Sequence, residues 1–376
     1  MNIRIKLAVA AALVAAVPAI AQIKINDNLS VTGWTVGSYQ YTATKGTTVT
    51  TGGTTFAATN GSSDSFNVDA AFLGATITPT KDVSATLSLY YKPQNEGGVN
   101  ATDTEEVTLL DANITYTATD TLSVTAGRFL SPLGYESFYA DLDNMITLAN
   151  QQFLAPIPGY HEGVNITYTP DKTFTFGLGL LDSLYGATAY SGDGHLEHSD
   201  VGAEGYIQYT GVNNLTLWFG AGYDSKGPAA SVASDGFNES HSKTVLDFWA
   251  SYQIDKNSTV AAEEIYKDGG NVGSNATYAA GIPVVPTDKG SNWLLYYQYN
   301  FTDKLSTWFC FSGEDVKGLT VGKTSFAGPK DWKLSVSPAY ALTANLSVKA
   351  QFSYTKYDSF IAKDGTFVGG QVVFKF

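Results

Sequence analysis

Asn345–Tyr357 reads NLSVKAQFSYTKY. Leu346, Val348, Ala350, Phe352 and Tyr354 fall on one side of this stretch, and Ser347, Lys349, Gln351 and Ser353 on the other. Successive side chains of a β-strand point to opposite faces, so the two-residue period marks a strand with one apolar and one polar face. The same period appears in 83–92, where Val83, Ala85, Leu87, Leu89 and Tyr91 oppose Ser84, Thr86, Ser88, Tyr90 and Lys92. It appears again in 215–224 (Leu215, Leu217, Phe219, Ala221 and Tyr223 share a side) and in 173–180 (Phe174, Phe176, Leu178 and Leu180). Alternating segments of about ten residues are the mark of strands that cross a bilayer with the apolar side outward. In lipid every backbone polar group needs a partner, so such a sheet has to close. The fold class that follows is all-β: a transmembrane antiparallel β-barrel.

Working outward, the strands are separated alternately by short and long connections. The short ones are Pro79–Asp82, Thr119-Asp120, Pro170–Lys172, Gly211–Asn214, Asp255–Asn257, Thr302–Lys304 and Thr343–Asn345. Asp, Asn, Gly and Pro sit there because they accept tight-turn dihedrals or bond their own backbone. Propeller blades repeat at a similar length, but they do not alternate short turns with long loops or need an apolar outer face. Seven turns and two terminal strands predict about 16 strands, the first beginning near Leu29, with long connections near 42–64, 93–104, 131–160, 182–199, 225–241, 268–289, 314–329 and 358–365. The first and sixth of these are long enough to hide an extra hairpin. A barrel of this size leaves an aqueous channel, whereas eight to ten strands would be filled by side chains.

The third long connection lies within Gly127–Gly163, GRFLSPLGYESFYADLDNMITLANQQFLAPIPGYHEG. A loop this long in a compact fold is usually functional. Leu142, Met145, Ile146 and Ala149 have helical spacing, with Asp141 and Asp143 near the start. Phe138, Tyr139, Leu142, Phe153 and Leu154 are a large apolar load to expose to water, which predicts that the loop folds into the lumen and narrows it. Arg128, the one arginine after residue 21, is on the lipid side by parity. A bulge at Gly127 would turn it inward as a lumenal or loop-anchoring group; snorkelling to the headgroups is the other reading. The pieces Gly127-Arg128-Phe129, Ser131–Glu136 and Tyr160–Val164 resemble the OmpL-like β-barrel porin-2 family of bacterial outer membranes. That resemblance implies an outer-membrane diffusion channel. Where a basic residue is expected just before Phe153-Leu154 the chain has Gln151-Gln152, so no anion preference is carried over.

Residues 1–21 read as a cleaved export signal: Arg4 and Lys6, then an apolar run from Leu7 to Val17, then Ala19-Ile20-Ala21. Residues 22–376 then form a single barrel domain. Removing Arg4 and Lys6 leaves 20 Lys+Arg against 35 Asp+Glu and takes the net charge from −13 to −15. That balance argues against nucleic acid, which needs basic patches. Cys310 is the single cysteine, so no intrachain disulfide forms, and its neighbours Trp308, Phe309 and Phe311 predict a buried filler. The chain ends in a strand with Val368, Val372, Phe374 and Phe376 on one face. Terminal Phe376 resembles the signal read by the bacterial barrel-assembly machinery.

Catalytic chemistry has no constellation here. His195-Leu196-Glu197-His198 lacks the spacing of a helical zinc motif and reads as a solvated loop. Glu263 and Glu264 are adjacent, so they face opposite sides and cannot form an acid/base pair. No enzyme activity, metal or cofactor is expected. The candidate pore constriction is Arg128, Glu136, Asp141, Asp143 and Glu162, with loop aromatics Tyr135, Phe138, Tyr139, Phe153 and Tyr160. Carboxylates at a constriction attract cations and repel anions. The expected function is a passive, weakly cation-preferring channel for small hydrophilic solutes or ions in the bacterial outer membrane. Its partners would be membrane lipid and, by analogy with porins of this size, two further copies in a homotrimer. A closed structural or adhesive barrel is the alternative.

Overall fold

The computed structural model describes residues 22–51, 54–56, 58, 60–92, 106–136, 145–149, 157–184, 201–225, 242–269, 289–317, 319–321, 324–326, 328–358 and 362–376. Residues 1–21, and with them the export signal, lie outside this set.

The barrel strands are β1 (Leu29–Gly46), β2 (Gly61–Thr80), β3 (Val83–Lys92), β4 (Glu106–Thr119), β5 (Leu122–Leu130), β6 (Tyr160–Tyr168), β7 (Phe174–Leu181), β8 (Gly202–Tyr209), β9 (Leu215–Asp224), β10 (Lys243–Gln253), β11 (Ser258–Asp268), β12 (Lys289–Asn300), β13 (Leu305–Val316), β14 (Trp332–Ala341), β15 (Leu346–Lys356) and β16 (Ala362–Lys375). They belong to a 17-stranded sheet whose remaining member, Gln22–Lys24, pairs with the start of β1, leaving 16 strands in the barrel. Each strand pairs antiparallel with the next, and β1 pairs with both β2 and β16, which closes the sheet. The first long connection, long enough for an extra hairpin, holds one, Val49–Thr51 with Thr54–Phe56, but it does not join the barrel and leaves the strand count unchanged. Of the sixth connection, only 269 and the flanking strand ends are among the described residues.

The turns work as their residues predict. Asp171 Oδ1 accepts the Thr173 and Phe174 amides at 2.6 and 3.1 Å, and Asp255 Oδ1 those of Asn257 and Ser258 at 2.7 and 2.9 Å. These amide bonds hold both carboxyls below the usual carboxylate range. Asn214 takes a left-handed φ of 65°. At the seam, Phe376 and Gly33 exchange two backbone hydrogen bonds of 2.8 Å each.

Burial runs opposite to that of a water-soluble protein. Phe352 is 49 % exposed while its neighbour Gln351 is 2 % exposed; Phe248 is 51 % exposed while Asp247 is 1 % exposed. The apolar residues therefore form the outer belt and the polar ones the interior, as a lipid-embedded barrel requires.

Candidate functional site

The site is built where the third long connection meets the inner wall. Ser131, just after β5, donates its hydroxyl to Glu204 of β8 at 2.8 Å. The Gly134 amide donates to Asp247 of β10 at 2.9 Å, and the Tyr135 amide to Glu263 of β11. Glu136 turns back into the connection and accepts the Ala149 amide on both oxygens, at 2.9 and 2.8 Å, as well as the Tyr296 hydroxyl of β12. Further on, the Ile146 and Thr147 amides share Gln351 Oε1 of β15, and Lys333 of β14 donates to the Leu148 carbonyl. The backbone donors of Gly134, Tyr135, Ile146 and Thr147 are thus satisfied by wall side chains and that of Ala149 by Glu136, as backbone away from water requires.

Apolar contacts follow the same path. Tyr135, 7 % exposed, sets its ring edge-on to Trp249 at 5.5 Å and tilted to Tyr296 at 5.9 Å. Met145 and Ala149 complete this cluster with Trp218, Trp308 and Cys310, which is indeed buried. Under it Tyr206, Trp218 and Trp249 stack from strand to strand, with centroid spacings of 4.3 and 5.5 Å. Leu133 packs with Phe129, Leu181, Leu184, Val245 and Ile265. It approaches Gly220 so closely that a Cβ there would lie 2.3 Å from Leu133 Cδ2.

Glu136 is 4 % exposed. Burial pushes its carboxyl above the ordinary range, and the Tyr296 hydroxyl, the Ala149 amide and nearby Lys333 pull it partly back. His161 and Glu204 form a fully buried pair, Nε2 to Oε1 at 2.9 Å, with His161 Nδ1 3.3 Å from the Leu184 carbonyl.

Arg128 donates its Nε to the Leu109 carbonyl at 3.0 Å, lies 3.5 Å from the Glu162 carboxylate and sits 5.8 Å from the Tyr160 ring centroid. Pairing runs unbroken through Gly127 on both sides, so the ladder has no bulge at that residue. Gly127 instead adopts φ +115°, where a Cβ would meet the Ala112 carbonyl at 2.2 Å. Tyr160 is buried with Trp34, Val36, Ala70, Tyr90, Leu110 and Val373. Asp141, Asp143, Phe138, Tyr139 and Phe153 lie outside the described residues, as do His195 and His198. Residues 145–149, the described part of the stretch with helical spacing, form bends rather than a helix. Glu263 and Glu264 do face opposite sides, one buried and one exposed.

Sequence reasoning passed over Glu204, Asp247 and Glu263 as partners of the connection. Their signal was parity: Asp247 lies between Leu246 and Phe248, both of the outer belt, so it had to face inward. Among the described residues no group of three or more His, Cys, Asp or Glu side chains is arranged to hold a metal.

Residues 28–376 match the model of the family described as putative beta-barrel porin-2, OmpL-like. The chain belongs to that family. This porin is also similar in fold to Salmonella typhi OmpF in complex with daunomycin (15 % identity, 95 % of this chain and 100 % of that one, TM-score 0.65). It is similar to the anion-selective porin from Comamonas acidovorans (12 %, 93 % and 99 %, TM-score 0.60) and to the trimer form of Vibrio cholerae OmpT (12 %, 93 % and 100 %, TM-score 0.54). No curated protein sequence matches the chain. Family and fold together make it an outer-membrane porin-like channel barrel.

Proposed function

We propose that this porin is a passive, non-enzymatic diffusion channel for small hydrophilic solutes, weakly cation-preferring, narrowed by its third connection. The supporting observation is the set of wall side chains from β8, β10, β11, β12, β14 and β15 that accept from or donate to that connection. Six strands round one side of a closed barrel share one loop in these contacts, which supports a path across the inside of the barrel. In this reading Asp141 and Asp143 add negative potential at the narrowing, Glu162 adds only what its pairing with Arg128 leaves, and Glu136 and Arg128 fix the loop at its ends. The export signal at 1–21, the assembly role of Phe376 and a homotrimer, the form in which the Vibrio cholerae protein is described, belong to the same proposal. The test is current through a planar bilayer containing the refolded protein, with unequal salt on the two sides. Stepwise openings with a cation-signed reversal potential are expected. A protein that is folded, by its heat-modifiable gel mobility, yet passes no current would instead be a closed structural or adhesive barrel.

A further inference from the structure

Two irregularities mark the wall from β1 to β4, which of the loop contacts above only Tyr160, at the end of the third connection, reaches. Between β1 and β2, Val36 pairs with Ala70 but Gly37 pairs with Val68, so Asp69 is an extra residue. Between β3 and β4, Leu87 pairs with Ala112 but Leu89 pairs with Leu109, so Leu110 and Asp111 together oppose Ser88. An extra residue re-aims the side chains around it and reverses the parity beyond it. The outer belt records that reversal. On β2 the exposed apolar residues run Phe66, Val68 and then Leu73, Ile77; on β4 they run Val107, Leu109 and then Ile114, Tyr116. Each change of parity falls at an aspartate.

Both aspartates meet inward-facing neutral partners. Asp69 Oδ1 accepts from the Ser38 hydroxyl at 2.8 Å and the Gln40 amide at 3.0 Å, and its Oδ2 accepts from the Gln371 amide at 3.2 Å. Gln371 is 2 % exposed, and its own amide oxygen has no partner among the described residues. Asp111 accepts from the Ser88 hydroxyl at 2.5 Å and from the Tyr160 hydroxyl at 3.4 Å. Hydroxyls and amides orient a carboxylate without cancelling its charge. The cations of this wall are few. Arg128 acts electrostatically on Asp111, and Lys349 is the register partner of Gln371. Both aspartates are half-buried rather than sealed, unlike Glu136 beneath the connection.

We infer that Asp69 and Asp111, aimed into the lumen by two β-bulges, are the main determinants of cation preference in this pore and form a track for hydrated small cations along β2 and β4. The inference rests on the channel reading above and names the residues that act in it. Asp69 is the stronger of the two, because Arg128 offsets part of the charge at Asp111. A negative charge lining a water-filled passage raises the local cation concentration and lowers that of anions.

The experiment measures reversal potentials under a KCl gradient for the wild type, Asp69→Asn, Asp111→Asn and the double variant. Each single change should lower the potassium-over-chloride permeability ratio by about two- to five-fold, the size expected for one unit charge removed a few ångströms from an ion path in water. Asp69→Asn should have the larger effect, and Asp69→Glu should restore the ratio. Asp69→Ser keeps a neutral hydroxyl for Ser38 and Gln40, and covers the case in which the amide variant does not fold. Normal conductance with an unchanged reversal potential in the double variant would overturn the assignment while leaving the channel intact. A folded wild type without current would overturn the channel reading, and this inference with it.

Discussion

On the wall from β8 to β12, carboxylates accept backbone N–H groups and hydroxyls of the third connection and are sealed under it; on the wall from β1 to β4, Asp69 and Asp111 accept from hydroxyls and side-chain amides, with Arg128 near Asp111, and are half-buried rather than sealed. The residue type is the same and the barrel is the same. What differs is what lies opposite. A buried carboxylate that satisfies a backbone donor is worth most as structure, because losing it leaves that donor orphaned in a site without water. A wetted carboxylate contributes little to stability and most to the field an ion crosses. The comparison can be broken by making matched changes on the two walls.

The largest effect should come from Tyr135→Ala. The ring leaves its place beside Trp249 and Tyr296, and the loss of a buried aromatic costs on the order of 3 kcal/mol. The heat-modifiable gel transition should fall in temperature, and single-channel conductance should rise as the connection loosens. Asp69→Asn, on the other wall, should alter ion selectivity and leave that transition almost in place. Equal shifts in the two variants would show that both walls serve stability and would dissolve the distinction.

Much of the barrel was legible because lipid imposes a period on every strand independently. The bounds of β3 and β9 fall where the alternation begins and ends, at Val83–Lys92 and Leu215–Asp224. The short turns were legible because Asp171 and Asp255 bond amides two and three residues away. The site was less so. Glu136 finds Tyr296 across 160 positions, and no local pattern carries such a contact. Nor did spacing alone make a helix of Met145, Ile146 and Ala149: the Ile146 and Thr147 amides bond Gln351 of the wall and the Ala149 amide bonds Glu136. The bulges stand between these cases. The change of parity from Val68 to Leu73, and from Leu109 to Ile114, is written in the sequence, but it shows only once both runs are known to face lipid.

An intermediate effect is expected from Gly220→Ala. The added methyl would fall 2.3 Å from Leu133 Cδ2. Leu133 is 4 % exposed and has little room to retreat. Overpacking of this kind costs about 1–3 kcal/mol, read as a lower transition temperature. Gly370→Ala on β16 is the matched control, since a Cβ there meets nothing within 4 Å. It should leave the transition where it is. A Gly220 variant as stable as the Gly370 variant would mean that the connection is not tightly seated on β9.

The smallest effect is a pH dependence. Because burial raises the Glu136 carboxyl, the folded protein binds that proton more tightly than the unfolded chain does. Between the ordinary carboxylate range and the raised value, the folded state therefore holds more protons, and stability falls as pH rises through that window. Asp331, immediately before β14, is raised to about 6 by burial and acts with the same sign. Asp171 and Asp255 are lowered, so their contribution is present above the ordinary range and is lost only as pH falls below it, outside the window. Glu136→Gln keeps an acceptor for the Ala149 amide and removes the ionisation. Its transition temperature should decline less steeply than that of the wild type from mildly acidic to neutral buffer, with the slope due to Asp331 remaining. An unchanged slope would mean that water reaches Glu136, and would move this residue from the sealed wall to the open one.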